Sequence, residues 1–197
     1  MSKPDPESSK RERNKTIRWV VTIFLVTMLV SGIISLVSDY IMSVSGIVVA
    51  FFILLAIIMV GILFDIIGMA VATADEKPFH AMAARKVPGA KECIKLLRNA
   101  ERVSSICNDV VGDICGVVSG SASATIAAQV IAHVEFGLPQ LISLAMSALV
   151  AGMTVGGKAI GKTFAISSCT TIVYSVGQVI YWFGHLPDLL RKKKKKR

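Results

Sequence analysis

Apolar positions along this chain come in unbroken blocks, not in the three-to-four or two-residue alternation of a water-exposed helix or strand. Blocks at 19–38, 46–73, 105–132 and 138–155 are long enough for a helix to cross a bilayer, whose ~30 Å hydrocarbon core takes about 17 to 25 residues. A fifth, at 164–184, is also uncharged. The first two blocks are dense in Val, Ile, Leu and Phe, and Asp65 is the one acid inside the second. The third is rich in Gly, Ala and Ser and carries Asp109 and Asp113 near its start. The pattern predicts an all-α membrane protein.

Between the second and third blocks, 74–104 turns polar and predicts a helical hairpin. One short helix covers 77–85, a Pro88-Gly89 pair breaks it, and a second covers 90–99. Pro78 suits a first helical turn, with Asp75 or Thr73 before it as a cap. Ile94, Leu97 and Val103 stand among charged neighbours, so the hairpin is expected to rest on the membrane or on a partner subunit.

The basic residues decide which blocks cross. There are 22 Lys and Arg against 13 Asp and Glu, a net charge of +9. Six of the 22 precede the first block, seven lie in the hairpin, two are Lys158 and Lys162, and seven fill 191–197. None lies in 39–45 or in 133–140. Lysine and arginine are retained on the cytoplasmic side. Four crossings from a cytoplasmic N-terminus therefore put every basic residue inside, in a multi-pass protein of the plasma membrane with both termini cytoplasmic. A fifth crossing would export seven of them. Block 164–184 is accordingly expected to lie in the inner interface, where Tyr174, Tyr181 and Trp182 suit the headgroup level. The segments 1–17 and 187–197 are then basic cytoplasmic tails. The first block follows basic residues as a secretory signal does. Its apolar run exceeds the roughly 7 to 15 residues of a signal core and no small-x-small site follows, so it reads as an uncleaved anchor.

Composition narrows the remaining classes. With 53% hydrophobic and 18% charged residues, a soluble domain and a disordered chain are both excluded. Cys93, Cys107, Cys115 and Cys169 show no Cys-x-x-Cys spacing and read as reduced thiols, with no disulfide or metal framework. His80, His133 and His185 are isolated, so no catalytic arrangement assembles and no enzyme is expected. The polybasic tail adjoins a membrane segment, and binding to anionic lipid accounts for it more simply than nucleic acid does; a solvated tail fits equally.

Charged groups inside a bilayer are costly and usually face the bundle interior. Asp65 shares a helical face with Gly61 and Gly68, where another backbone can approach closely. Asp109 and Asp113 are one turn apart, beside Asn108, on a face that continues through Gly116 and Gly120. Gly112, Gly116 and Gly120 form a Gly-xxx-Gly ladder, and Gly152 and Gly156 repeat the spacing. Two readings stand. The glycines pack helices and the acids are structural, or carbonyls and carboxylates line a site for Mg²⁺ or a similar hard cation. The stretch Gly156-Gly-Lys-Ala-Ile-Gly-Lys-Thr163 matches a phosphate-loop pattern but lacks the strand and α/β domain that such a loop needs. Its glycines are expected to mark a helix end or break.

Several of these stretches resemble one family. Leu63-Phe-Asp-Ile-Ile-Gly-Met-Ala-Val-Ala-Thr73, the hairpin with Gly89-Ala90, Ser105-Ile-Cys-Asn-Asp-Val-Val-Gly-Asp113 and Gly157-Lys-Ala-Ile-Gly-Lys-Thr-Phe-Ala165 are similar to the transmembrane domain of the CNNM/CorC (CorB) magnesium transporters. The resemblance covers about 46–186. It implies a three-helix, dimeric module with a cytoplasmic helical pair and a juxtamembrane helix, to which 18–38 is an added helix. It also implies divalent-cation transport of the magnesium or cobalt type, with Asp65, Asn108, Asp109 and Asp113 as candidate ligands. The departures are specific. The family's serines and glutamate in the first motif are replaced around Asp65, its Gly-Asn-Asn is Cys107-Asn108-Asp109, and a glutamate of its cation site is Lys158. The regulatory CBS pair and the C-terminal soluble domain have no counterpart. An ammonium among the aspartates would neutralise them and take the ion's place. The alternative function is therefore a non-transporting membrane scaffold or regulator with Lys158 as internal counter-charge. Expected partners are the lipid bilayer, a second copy of the chain and a divalent cation.

Overall fold

The structure is a computed structural model describing residues 6–133 and 138–194. Parts of both expected tails and of the second outer loop fall on 1–5, 134–137 and 195–197, outside the described residues. The chain forms α1 (Pro6–Val44), α2 (Ile47–Thr73), α3 (Lys77–Ala84), α4 (Ala90–Arg98) and α5 (Ala100–Ser105). A π segment, Ile106–Val111, leads directly into α6 (Gly112–His133); α7 (Pro139–Ser167) and α8 (Cys169–Lys194) follow. No strand occurs among the described residues. Among the described residues, four stretches are long and apolar enough to cross a membrane: Thr16–Met42 within α1, Ile47–Thr73, Ala100–His133 and Pro139–Ser167. The molecule is an all-α membrane protein.

Contacts fix the helix directions. Gly61 and Gly68 of α2 face Cys115 and Asn108, so α2 runs antiparallel to the π segment and α6. Gly157 and Gly161 of α7 face Ile62 and Ile66, so α7 runs parallel to α2. Gln129 Nε2 donates to the Met42 carbonyl at 2.8 Å while Trp19 and Ile23 line a cleft with Ser105 and Asp109, so α1 runs parallel to the π segment and α6. α1 thus starts, and α7 ends, on the side that carries α3 and α4.

Two apolar clusters hold the bundle. Met42, Ala50, Leu54, Ile58, Ala122, Ile126 and Val150 fill one end. At the other, Ala70, Val71 and Ala165 of the long helices meet Phe79, Cys93 and Leu97 of the hairpin and Val173 of α8. The hairpin thus rests on its own chain, and Ile94 and Val103 join the same cluster. Its turn is sterically specified. Gly89 has φ +84, and an added Cβ there would lie 3.0 Å from the Gln178 backbone nitrogen of α8, so both conformation and space demand glycine. Lys86, at φ 58, closes α3 by a Schellman pattern in which Val87 N–H donates to Met82 O and Lys86 N–H to Ala83 O, each at 3.0 Å.

Three boundaries differ from expectation. α7 continues through Gly156–Thr163 to Ser167, where a helix end or break was expected. Isolated glycines weaken a helix by about 1 kcal/mol each, but here Gly157 and Gly161 admit Ile62 and Ile66, and packing of α2 against α7 holds the helix straight through. The N-terminal basic segment is helical from Pro6 onward, continuous with the first apolar block. The third crossing begins at Ala100, not near 105, because α5 and the π segment run into α6 without a break.

Candidate functional site

The glycine-flanked acid of α2 meets a cation. Lys158 Nζ of α7 lies 3.6 Å from Asp65 Oδ1, with 25% of the lysine side chain and 8% of the aspartate side chain exposed. The pair sits between the two apolar clusters, since Asp65 lies between Ile58 of one and Ala70 of the other. Removing either partner from such a pair leaves an uncompensated charge in a low-dielectric setting, which is why the geometry persists.

The π segment shapes the third wall. Gly112 N–H donates to the Cys107 carbonyl, the i to i−5 bond that widens the helix by one residue. That widening presents the bare edge of Gly112 to the pair. A Cβ at Gly112 would stand 3.3 Å from Lys158 Nζ, 3.5 Å from Cys107 O and 3.7 Å from Asp65 Oδ1. One turn further along α2, a methyl at Gly68 would fall on the Asn108 amide. Asn108 Nδ2 donates to Ser104 Oγ at 3.2 Å. Asn108 Oδ1 and Asp65 Oδ2 are buried acceptors with no hydrogen-bond partner among the described residues.

Of the candidate ligands, Asp65 pairs with Lys158, and Asn108 packs one turn along α2 against Gly68. Asp109 and Asp113 do not join them. Both are exposed, and Asp109 Oδ2 accepts from Ser105 Oγ at 2.7 Å on the side facing α1. Among the described residues, no three of His, Cys, Asp and Glu gather as a metal site. The glycine ladder also divides differently than its spacing suggests. Gly116, Gly120, Gly152 and Gly156 have open space where a Cβ would go, whereas Gly61, Gly68, Gly112, Gly157 and Gly161 make the close approaches.

Sequence reasoning missed three contributors: Ser104, the Cys107 carbonyl and the pairing of Ile62 and Ile66 with Gly157 and Gly161. The last was detectable, because both pairs have the four-residue spacing of one helical face. The π segment carries no comparable mark. Outside the spans, Cys93 is buried with Sγ donating to Val173 O at 3.4 Å, and desolvation pushes its thiol up from the ordinary 9.0. Compared with protein-family models, with curated proteins and with solved structures, the chain matches none.

Proposed function

We propose that this membrane protein does not carry ions, and that Lys158 occupies the position a divalent cation would take, making the bundle a scaffold or regulator. The observation that supports this reading is the 3.6 Å approach of Lys158 Nζ to the carboxylate of Asp65, whose side chain is 8% exposed. A bound ammonium neutralises the acid, and Asp109 and Asp113 point elsewhere, so the charge needed to attract a second cation is gone. In this reading the protein lies in the plasma membrane with both termini cytoplasmic, as the grouping of its 22 basic residues supports. It has no enzymatic role.

A second reading, magnesium- or cobalt-type cation transport by a homodimer, draws on the unpartnered Asp65 Oδ2 and Asn108 Oδ1, two buried oxygens of the kind a hard cation takes. Thermal unfolding with Mg²⁺, Mn²⁺ and Co²⁺ separates the two. For a scaffold in which Lys158 holds the ion's place, the wild type does not change its Tm with metal, whether or not Lys158→Glu does. A metal-dependent rise in the wild type assigns the centre to a cation. Labelling of single cysteines at the two ends tests the topology, and labels on opposite faces would overturn it.

A further inference from the structure

α1 and the third crossing do not close on one another along their full length. At the end where the crossing begins they leave a cleft of about 490 Å³, with Trp19, Phe24 and Thr27 on one wall and Ser105, Asp109 and Val110 on the other. From Trp19 to Ser31 it follows about 18 Å of helix at 1.5 Å per residue, a length suited to an extended acyl chain. Its walls are mostly apolar, and among the described residues that line it Asp109 is ionisable and none is Lys or Arg.

That carboxylate is held in place. Ser105 Oγ donates to Oδ2 at 2.7 Å. A carboxylate on a lipid-facing wall is unfavourable unless a cation reaches it. Trp19 lines the same end of the cleft, and an indole face attracts an ammonium as well as favouring the headgroup level. Deeper along the same wall, Thr27 Oγ1 is buried without a hydrogen-bond partner among the described residues.

We propose that the cleft binds a phospholipid with a primary ammonium headgroup, of the phosphatidylethanolamine class. The ammonium donates to Asp109 beside Trp19, and one acyl chain lies along Phe24, Thr27 and Val110. Charge complementarity selects this occupant. Asp109 repels an anionic headgroup, and the lining offers no base to hold a phosphate alone.

The test uses the full chain with Trp182→Phe, which leaves Trp19 as the single tryptophan, in phosphatidylcholine vesicles doped with lipids brominated on the acyl chain. Brominated phosphatidylethanolamine is expected to quench Trp19 at about tenfold lower mole fraction than brominated phosphatidylglycerol, the ratio that one charge-assisted hydrogen bond supplies. Asp109→Asn should bring the two lipids together, Asp109→Glu should keep the preference, and Thr27→Phe, which fills the cleft, should lose it. Equal quenching by both lipids, a preference for the glycerol lipid, or a preference unchanged in Asp109→Asn overturns the proposal. Should Asp109→Asn not fold, the Glu and Phe variants decide it in the same way.

Discussion

Deleting Lys158 isolates what the central pair contributes. At an effective dielectric of about 20, unit charges 3.6 Å apart attract by about 4 to 5 kcal/mol. Both side chains are mostly shielded, at 25% and 8% exposure, so little of that attraction is screened by solvent. Desolvation of the two charges opposes it, and the net value of the pair against an apolar replacement is near zero. Breaking it is different, because the survivor stays buried and unpaired. Lys158→Ala and Asp65→Asn are each expected to destabilise by about 3 to 5 kcal/mol, whereas Asp65→Leu combined with Lys158→Met is expected within about 1 kcal/mol of wild type. Reversible unfolding in mixed micelles, followed by far-ultraviolet circular dichroism, measures all of them on one scale. Additive single and double substitutions, or single losses below about 1 kcal/mol, would falsify the coupled pair.

Three further outcomes follow from the geometry, each readable in the same unfolding assay. Gly68→Ala should cost about 1 to 3 kcal/mol, since its methyl lands on Asn108, while Gly120→Ala, with open space, should gain up to about 1 kcal/mol from helix propensity. Equal effects at the two sites would contradict the assigned packing face. Lys86→Gly should stabilise the hairpin by about 1 kcal/mol, because a lysine at φ 58 bears a penalty that glycine does not; a loss would mean that the lysine side chain holds the turn. Cys93 gives a pH dependence. Its folded thiol titrates above the ordinary 9.0, so the contribution is fully present below that pH and is lost as pH rises through the folded value. Cys93→Ala should flatten the alkaline fall in stability, and an unchanged slope rules the thiol out.

The four crossings and the hairpin were readable because each rests on a local signal: block length, and the Pro88-Gly89 interruption between two short helices. Asp65 was readable for the same reason, since Gly61 and Gly68 mark its face through helical spacing alone. Its partner could be named but not assigned. Lys158 sits 93 positions later, and only the parallel course of α7, fixed by Ile62 and Ile66 against Gly157 and Gly161, brings the ammonium to the carboxylate. The π segment explains the misplaced acids. Asp109 and Asp113 share a face with each other at four-residue spacing, but one extra residue per turn between Ile106 and Val111 changes which face α6 turns toward α2. Gly112 and Cys107 then meet the pair, while Asp109 turns toward α1. Equal spacing in Gly112, Gly116 and Gly120 likewise hides unequal surroundings: Gly112 faces Lys158 and Asp65, whereas Gly116 and Gly120 have open space beside them although α6 stays packed on α2 as far as Ala122 and Ile126.

The pair also makes sense of how unequal the long helices are. The Ile47–Thr73 crossing has mean hydropathy 3.3 and tolerates one acid, whereas the Pro139–Ser167 crossing has 1.5 and includes both Lys158 and Lys162. A lysine costs about 2.5 to 3.5 kcal/mol at the centre of a span and less toward an end, and Lys158 stands nine residues before the end of α7, in the part that approaches the side carrying α3 and α4. Asp65 on the preceding, strongly apolar crossing offers Lys158 a counter-charge within the membrane. The glycines at 157 and 161 let α7 approach α2 closely enough to use it. The acid, the lysine and the small residues are thus one device. Each alone would weaken a crossing, and together they join the most apolar helix of the bundle to the least.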